Sequence, residues 1–161
     1  MSKNTSKVIN LGCRLNYFES EVIENILSEK NLKNKIVINT CAVTNQAVQK
    51  SLREIRRAAR KFPDHEIIVT GCASQVENDT FKNLEYVSRI IDNKHKTKST
   101  SYEQNFNKPS KNDYEFPALP KFSKNRTRST LQVQQGCNHR CTFCIIPFGR
   151  GDAVSLPTEE I

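Results

Sequence analysis

Six cysteines carry most of the chemistry that this 161-residue sequence can offer, and their spacing divides them into two sets. Cys137, Cys141 and Cys144 form a tight CxxxCxxC pattern within Gly-Cys-Asn-His-Arg-Cys-Thr-Phe-Cys. A loop this short can turn three thiolates toward one centre without help from distant chain. Cubane iron–sulfur clusters are usually held by four cysteine thiolates. Three ligands leave one iron open, and an open coordination position is what a metal site needs to bind and activate a substrate. The competing reading is a zinc knuckle in which His139 or a distant residue completes the site. Zinc motifs usually pair two CxxC-like elements across a longer stretch, and His139, between the first two cysteines, is badly placed to reach the same metal. The spacing therefore favours the open-iron cluster.

Cys13, Cys41 and Cys72 are far apart in sequence, yet each follows an expected strand within a few residues. In a parallel sheet all strand C-termini lie on one edge, where ligands bind, so three cysteines at three such ends could converge. The alternative is plain burial, because free cysteine is among the most often buried residue types.

The elements that must position these residues alternate strand and helix. Lys7 to Leu11, Lys35 to Asn39, Glu66 to Thr70 and Val87 to Ile91 read as short apolar strands. Tyr17 to Lys30 carries Phe18, Val22, Ile23, Ile26 and Leu27 at helical spacing. Thr44 is placed to cap a second helix with the stripe Val48, Leu52, Ile55, Ala59, Phe62, ended by Pro63-Asp64. Glu77 to Leu84 reads as a short helix. The fold class is accordingly α/β, a parallel sheet covered by helices over residues 1–95. Residues 96–128 are rich in Lys, Ser, Thr, Asn and Pro with isolated apolar residues, and read as a linker. Thr130 to Gln134 resumes a strand pattern, and Pro157 to Ile161 resembles a first helical turn. A lone strand and a few helical residues have no sheet to join, so residues 129–161 read as the truncated start of a second domain.

Composition bounds the setting. The N-terminus, Met1 to Lys7, is polar and lacks the form of a secretory signal, and no apolar run approaches the length needed to cross a bilayer. A cytoplasmic location with no membrane partner is the expectation, and there six cysteines are poor candidates for structural disulfides. The formal charge of +8, from 25 Lys+Arg against 17 Asp+Glu, favours a polyanionic partner. Lys50, Arg53, Arg57 and Lys61 recur at helical spacing, and Lys121, Lys124, Arg126 and Arg128 crowd the entrance to the second domain. These are the candidate nucleic-acid contacts, against the plainer reading of solvated charge. His65 and His95 have no evident chemical partner.

CxxxCxxC after a strand resembles the cluster motif of radical S-adenosylmethionine enzymes, with Phe143 matching the family's usual aromatic before the last cysteine. The resemblance implies that the open iron of a four-iron cluster on Cys137, Cys141 and Cys144 binds S-adenosylmethionine, and that an electron from the cluster cleaves it to a deoxyadenosyl radical. Thr130 to Gln134 would be the first strand of a partial α/β barrel, its site at the C-terminal end. The flanks of the other set, Gly12 to Asn16, Asn39 to Thr44 and Thr70 to Gln75, resemble the N-terminal domain of methylthiotransferases. There a second four-iron cluster on the counterparts of Cys13, Cys41 and Cys72 carries sulfur, methylated by a second S-adenosylmethionine. Within that family, Asn-Thr-Cys-Ala-Val-Thr with the following basic helix, and residues 141–151, look most like transferases acting on threonylcarbamoyladenosine in tRNA. Close relatives act on isopentenyladenosine in tRNA or on ribosomal protein S-twelve. The implied reaction replaces the C2 hydrogen of an adenine in the anticodon stem-loop with a methylthio group, a step beyond side-chain acids and bases; the base must be splayed out to be reached. The resemblance implies an inactive fragment that lacks most of the barrel and the RNA-binding C-terminal domain. The competing class is a non-catalytic zinc or iron–sulfur module that binds nucleic acid.

Overall fold

The computed structural model describes residues 5–103, 114–118 and 130–161. Short β-branched runs supply four strands, β1 (Lys7–Asn10), β2 (Lys35–Thr40), β3 (Glu66–Gly71) and β4 (Arg89–Ile91). They pair in parallel in the order β1-β2-β3-β4. β2 is buried at every position and β3 at all but its first, which explains why both read as continuous apolar runs rather than alternating ones. The expected α/β class with a parallel sheet is the observed one.

Two long helices follow the first two strands, α1 (Arg14–Glu29) and α2 (Asn45–Lys61). Side chains alternate across a strand, so Val8, Val37 and Ile68 lie on one face and pack with Ile23 and Leu27 of α1. Ile36, Ile38, Ile67 and Val69 lie on the other, against Val48, Leu52, Ile55 and Ala58 of α2. Thr44 caps α2 as its position in sequence predicts, its hydroxyl accepting the Ala47 N–H at 3.1 Å.

The structure departs from the sequence reading in three places. First, the helix expected over 77–84 is present as α4 (Asn78–Lys82), but a short helix that the sequence reading lacked, α3 (Cys72–Val76), precedes it. Gly71 adopts φ +100°, and a Cβ there would stand 2.3 Å from the Thr40 carbonyl oxygen. Glycine alone tolerates both conditions, so the chain turns from β3 directly into a helix that begins on Cys72. Second, the first residues of the expected linker are packed on the sheet. Lys96, Ser101 and Tyr102 are buried, and Tyr102 joins the apolar cluster of α1. Third, Thr130 to Gln134 is not a lone parallel strand. A two-residue β5 (Gln134–Gln135) pairs antiparallel with β6 (Val154–Ser155), and α5 (Ile146–Arg150) lies between them. The apolar residues Leu131 and Val133 are exposed here while Gln132 is buried, the reverse of the alternation expected of a core strand. Tyr114 and Gln132 hydrogen-bond through their side chains. The terminal helical turn is a short 3₁₀ turn over Thr158–Glu160. Among the described residues no helix is long and apolar enough to cross a membrane.

Two predictions follow from the packing. Ile38, fully buried at the centre of the sheet, should cost about 2–5 kcal/mol as Ile38→Ala, read as a lowered urea midpoint; a loss below about 1 kcal/mol would contradict the packing described. The second concerns Glu66, which receives Lys35 from β2 and Arg89 from β4. Burial pushes its carboxyl up, but the hydrogen bonds and charges of Lys35 and Arg89 outweigh this and hold it below its ordinary value of 4.5. A carboxylate lowered in the folded state stabilises at pH above its unfolded value, and that stability is lost as pH falls through the folded value. Urea midpoints measured from about pH 6 to pH 3 should therefore fall less steeply for Glu66→Gln than for the native chain; parallel curves would exclude the pairing.

Candidate metal centre

The carboxyl ends of β1, β2 and β3 share one edge of the sheet, and each leads into one of the first three cysteines. Thr40 is paired with Gly71, so Cys41 and Cys72 follow on strands about 5 Å apart. Asn10 pairs with Asn39, and Cys13, three residues on, sits at the N-cap of α1. The edge is braced by polar side chains. Asn39 Nδ2 donates to the Asn16 carbonyl at 2.9 Å and to Ser20 Oγ at 3.1 Å. Asn16 Nδ2 donates back to the Thr40 carbonyl at 2.8 Å. Thr40 Oγ1 donates to the Thr70 carbonyl at 2.7 Å and accepts the Ser74 N–H at 3.2 Å.

All six cysteines are free thiols. Cys13 is exposed, Cys41 buried and Cys72 half-buried. Cys13 Sγ lies 3.7 Å from Asn16 Oδ1, and Cys72 Sγ accepts from Arg150 Nε at 3.1 Å. Among the described residues no three Cys, His, Asp or Glu side chains are gathered closely enough to hold a single metal ion. A cubane makes a looser demand, since each thiolate binds a different corner iron and the sulfurs stay farther apart than around one ion. Three free thiols at three adjacent strand ends, with no carboxylate or imidazole among them, fit that donor set. The N-terminus of α1 adds a partial positive charge at the same edge, suited to an anionic group.

The second triplet lies in the loop between β5 and α5. Gly136 has φ +73°, with the Asp152 carbonyl 2.1 Å from where a Cβ would stand. That close approach lets the Cys137 N–H reach the Gly151 carbonyl at 3.1 Å. Cys141 and Cys144 are joined by a turn, the Cys144 N–H donating to the Cys141 carbonyl at 3.0 Å. Arg140 Nη1 donates to the Cys137 carbonyl at 2.8 Å, closing the loop. Phe143 is 92% exposed and Cys141 also faces solvent.

Beneath the first cysteine edge lies a buried charge cluster that the sequence reading missed. Glu19 of α1 is fully buried between Lys96, 2.5 Å away, and Arg150 of α5, whose guanidinium it accepts through both oxygens. Burial pushes the Glu19 carboxyl up, but the Lys96 and Arg150 charges outweigh it and the carboxyl ends below its usual range. Lys96 is pushed down to about 8 by burial and by the Arg150 charge, despite Glu19. Glu19 left one signal in sequence, an acid one residue from Phe18 on the buried side of the helical stripe. Arg150 lay within the run that carried the resemblance, without a role.

The other candidates are placed as follows. Lys50, Arg53, Arg57 and Lys61 are exposed on α2, and Arg56 and Arg60 join them there. Arg53, Arg56, Arg57, Arg60 and Lys61 line one shallow surface groove. Lys121, Lys124, Arg126 and Arg128 lie outside the described residues. His95 is buried, with Nδ1 2.6 Å from Asp92 Oδ1, and the ring of His65 packs beside Phe62.

Comparison with known proteins identifies this architecture. The chain is 39% identical over 160 residues to the threonylcarbamoyladenosine tRNA methylthiotransferase MtaB of Rickettsia prowazekii, covering 96% of this chain and 38% of that protein. The MtaB protein of Bacillus subtilis is 34% identical over 94% of this chain and 38% of its own length. The tRNA-2-methylthio-N(6)-dimethylallyladenosine synthase of Buchnera aphidicola is 29% identical over 100% of this chain and 41% of its own. The chain thus spans about two fifths of the length of these relatives. The resemblance to methylthiotransferases is borne out by these matches. The family model described as Uncharacterized protein family UPF0004 matches residues 5–92, the whole four-stranded sheet, and the chain belongs to that family.

Proposed function

We propose that this chain is part of a radical S-adenosylmethionine tRNA methylthiotransferase that modifies C2 of threonylcarbamoyladenosine beside the anticodon. The observation that carries the reading is the placement of Cys13, Cys41 and Cys72 at three adjacent strand ends, followed in sequence by the CxxxCxxC loop. Relatives named for threonylcarbamoyladenosine match at 29–39% identity and those named for dimethylallyladenosine at 28–32%; the higher top value in the first group supports the choice of nucleoside. In this reading residues 1–95, with 96–103 packed on them, hold one four-iron cluster, the remainder of 96–128 connects, and residues 129–161 begin the radical domain, in a cytoplasmic enzyme.

When bound, the two clusters and S-adenosylmethionine would supply the radical and sulfur chemistry that no side chain here can supply. The chain's own residues hold and orient. Cys13, Cys41 and Cys72 would ligate one cluster and Cys137, Cys141 and Cys144 the other, three thiolates each leaving one iron open. Phe143, exposed beside Cys144, would contact S-adenosylmethionine. The tRNA backbone would be held by Lys121, Lys124, Arg126 and Arg128, and by the exposed face of α2. That helix carries Lys50, Arg53, Arg56, Arg57, Arg60 and Lys61 against a single acid, Glu54, so it contributes +5 of the chain's +8.

Metal content tests the cofactor reading. Anaerobic reconstitution with iron and sulfide should give about eight irons per chain, falling to about four when either triplet is changed to alanine. Zinc without iron would refute the reading and leave a zinc-binding module. The basic face is tested separately. Binding of an anticodon stem-loop to the chain should weaken on Arg53→Ala, Arg57→Ala and Lys61→Ala combined. The slope of log affinity against log salt should drop by roughly two to three. An unchanged slope would place the tRNA elsewhere.

A further inference from the structure

We propose that Arg150 is a positioning residue that latches the CxxxCxxC segment onto the first cysteine edge and donates a hydrogen bond to Cys72 when that sulfur ligates a cluster. The second half rests on the cofactor reading above; the first does not.

A guanidinium offers five N–H donors, and each has a hydrogen-bond acceptor here. Arg150 Nε donates to Cys72 Sγ at 3.1 Å. Nη1 donates to Glu19 Oε1 and to Gln135 Oε1 at 3.3 Å. Nη2 donates to Asn16 Oδ1 and to Glu19 Oε2 at 3.0 Å. Four of the five bonds serve a buried ion pair and its polar surroundings, which a purely structural arginine would also satisfy. The bond to sulfur is different, because a neutral thiol is a weak acceptor and a metal-bound thiolate a strong one.

Charge points the same way. Arg150 and Lys96 bring two buried positive charges to one carboxylate, Glu19. The set carries a net positive charge beneath the cysteine edge, and Cys72 Sγ is the atom that Arg150 presents to that edge. Such a cradle favours an anionic sulfur ligand. Hydrogen bonds and net charge around the sulfurs are also what set cluster reduction potentials.

The latch is the main grip of α5. This helix buries Gly149 and Arg150, while Ile146 and Phe148 are exposed. Gly149 supports the contact from the backbone side. Its carbonyl accepts from Asn93 Nδ2, and a Cβ on it would meet Cys72 Cβ at 3.1 Å. Arg150 stands six residues after Cys144, so the contact ties one cysteine set to the other across 78 residues of sequence.

The experiment uses the whole chain with Arg150→Gln and Arg150→Lys. Hydrogen–deuterium exchange on metal-free protein reads the latch. Residues 146–151 should exchange at least about tenfold faster in Arg150→Gln, with α2 unchanged as the folding control. Exchange like that of the native chain would overturn the latch. Redox titration then reads the sulfur contact, in chains whose Cys137, Cys141 and Cys144 are alanine so that one cluster is observed. Losing a donor and a positive charge should move its midpoint potential to a more negative value in Arg150→Gln, and less so in Arg150→Lys. Faster exchange with an unmoved potential would overturn the hydrogen bond to cluster sulfur and leave a structural clasp. Failure of the native chain to take up iron would refute the cofactor reading and with it the cluster contact, while the exchange result still decides the latch.

Discussion

Glu19 is a carboxylate with no access to water, and the arrangement around the cysteine edge depends on how it is neutralised. Taking an ion out of water costs several kcal/mol even after relaxation, and only good geometry offsets that. Here the geometry comes from three separate parts of the chain: α1 supplies Glu19, the turn after β4 supplies Lys96, and α5 supplies Arg150. None of these contacts is local in sequence, so the charge can be satisfied only when all three parts are in place. A buried ion cluster is poor evidence for stability, but it is a strong constraint on position, because a displaced partner leaves a bare charge behind. The cysteine edge inherits that constraint. Asn16, one turn before Glu19, accepts from Arg150 and braces β2 through the Thr40 carbonyl.

The sheet divides labour along its strands. Its middle is apolar on both faces, with Ile36, Val37, Ile38, Ile68 and Val69 wholly buried. Its carboxyl edge is built instead from Asn39, Thr40, Thr70 and Gly71, where the Thr40 hydroxyl donates to the Thr70 carbonyl and Asn39 donates to the Asn16 carbonyl. A parallel sheet requires this, since strands that end inside a protein leave backbone groups that need partners. It also leaves the cysteines on a polar rim. Cys41, the most buried of the first three, continues the central strand; Cys13 and Cys72, nearer the surface, begin helices. The β-strands fix the spacing of the set and the helices fix its direction.

Most of this sheet was legible in sequence because its signals are local. Short β-branched runs, a threonine at an N-cap and a helical apolar stripe each act within a few residues, and four strands and two long helices followed from them. What was not legible depends on partners far away in sequence. The sequence shows Cys72 only as following a strand, because nothing local announces that Gly71 will take a positive φ and start a helix. Lys96 and Tyr102 read as linker because their composition is polar and their partners are on α1. Gln132 is buried and Leu131 exposed for the same reason, since Tyr114, not a core strand, decides which side chain turns inward. For the candidate centre, the cysteines were visible as residue types and their strand-end placement followed from the topology. The cations and carboxylate beneath them were not visible, because a buried ion cluster has no sequence period.

How the CxxxCxxC segment is held also follows from what it does not bury. Apolar packing is the usual way for one segment to stay on another, at about 25 cal/mol per Å² of area removed from water. Yet Phe143, Ile146 and Phe148 all face outward, and the buried members of α5 are a glycine and an arginine. Burial of apolar area therefore cannot account for the docking of α5. Directional bonds must do so, and they differ from apolar contact in one respect that matters at a sulfur site. An apolar contact can slide by an ångström at little cost, whereas a guanidinium whose five donors are matched to fixed acceptors cannot. The segment is thus held in one register against Cys72, with its aromatic side chains left free for whatever approaches from the other side.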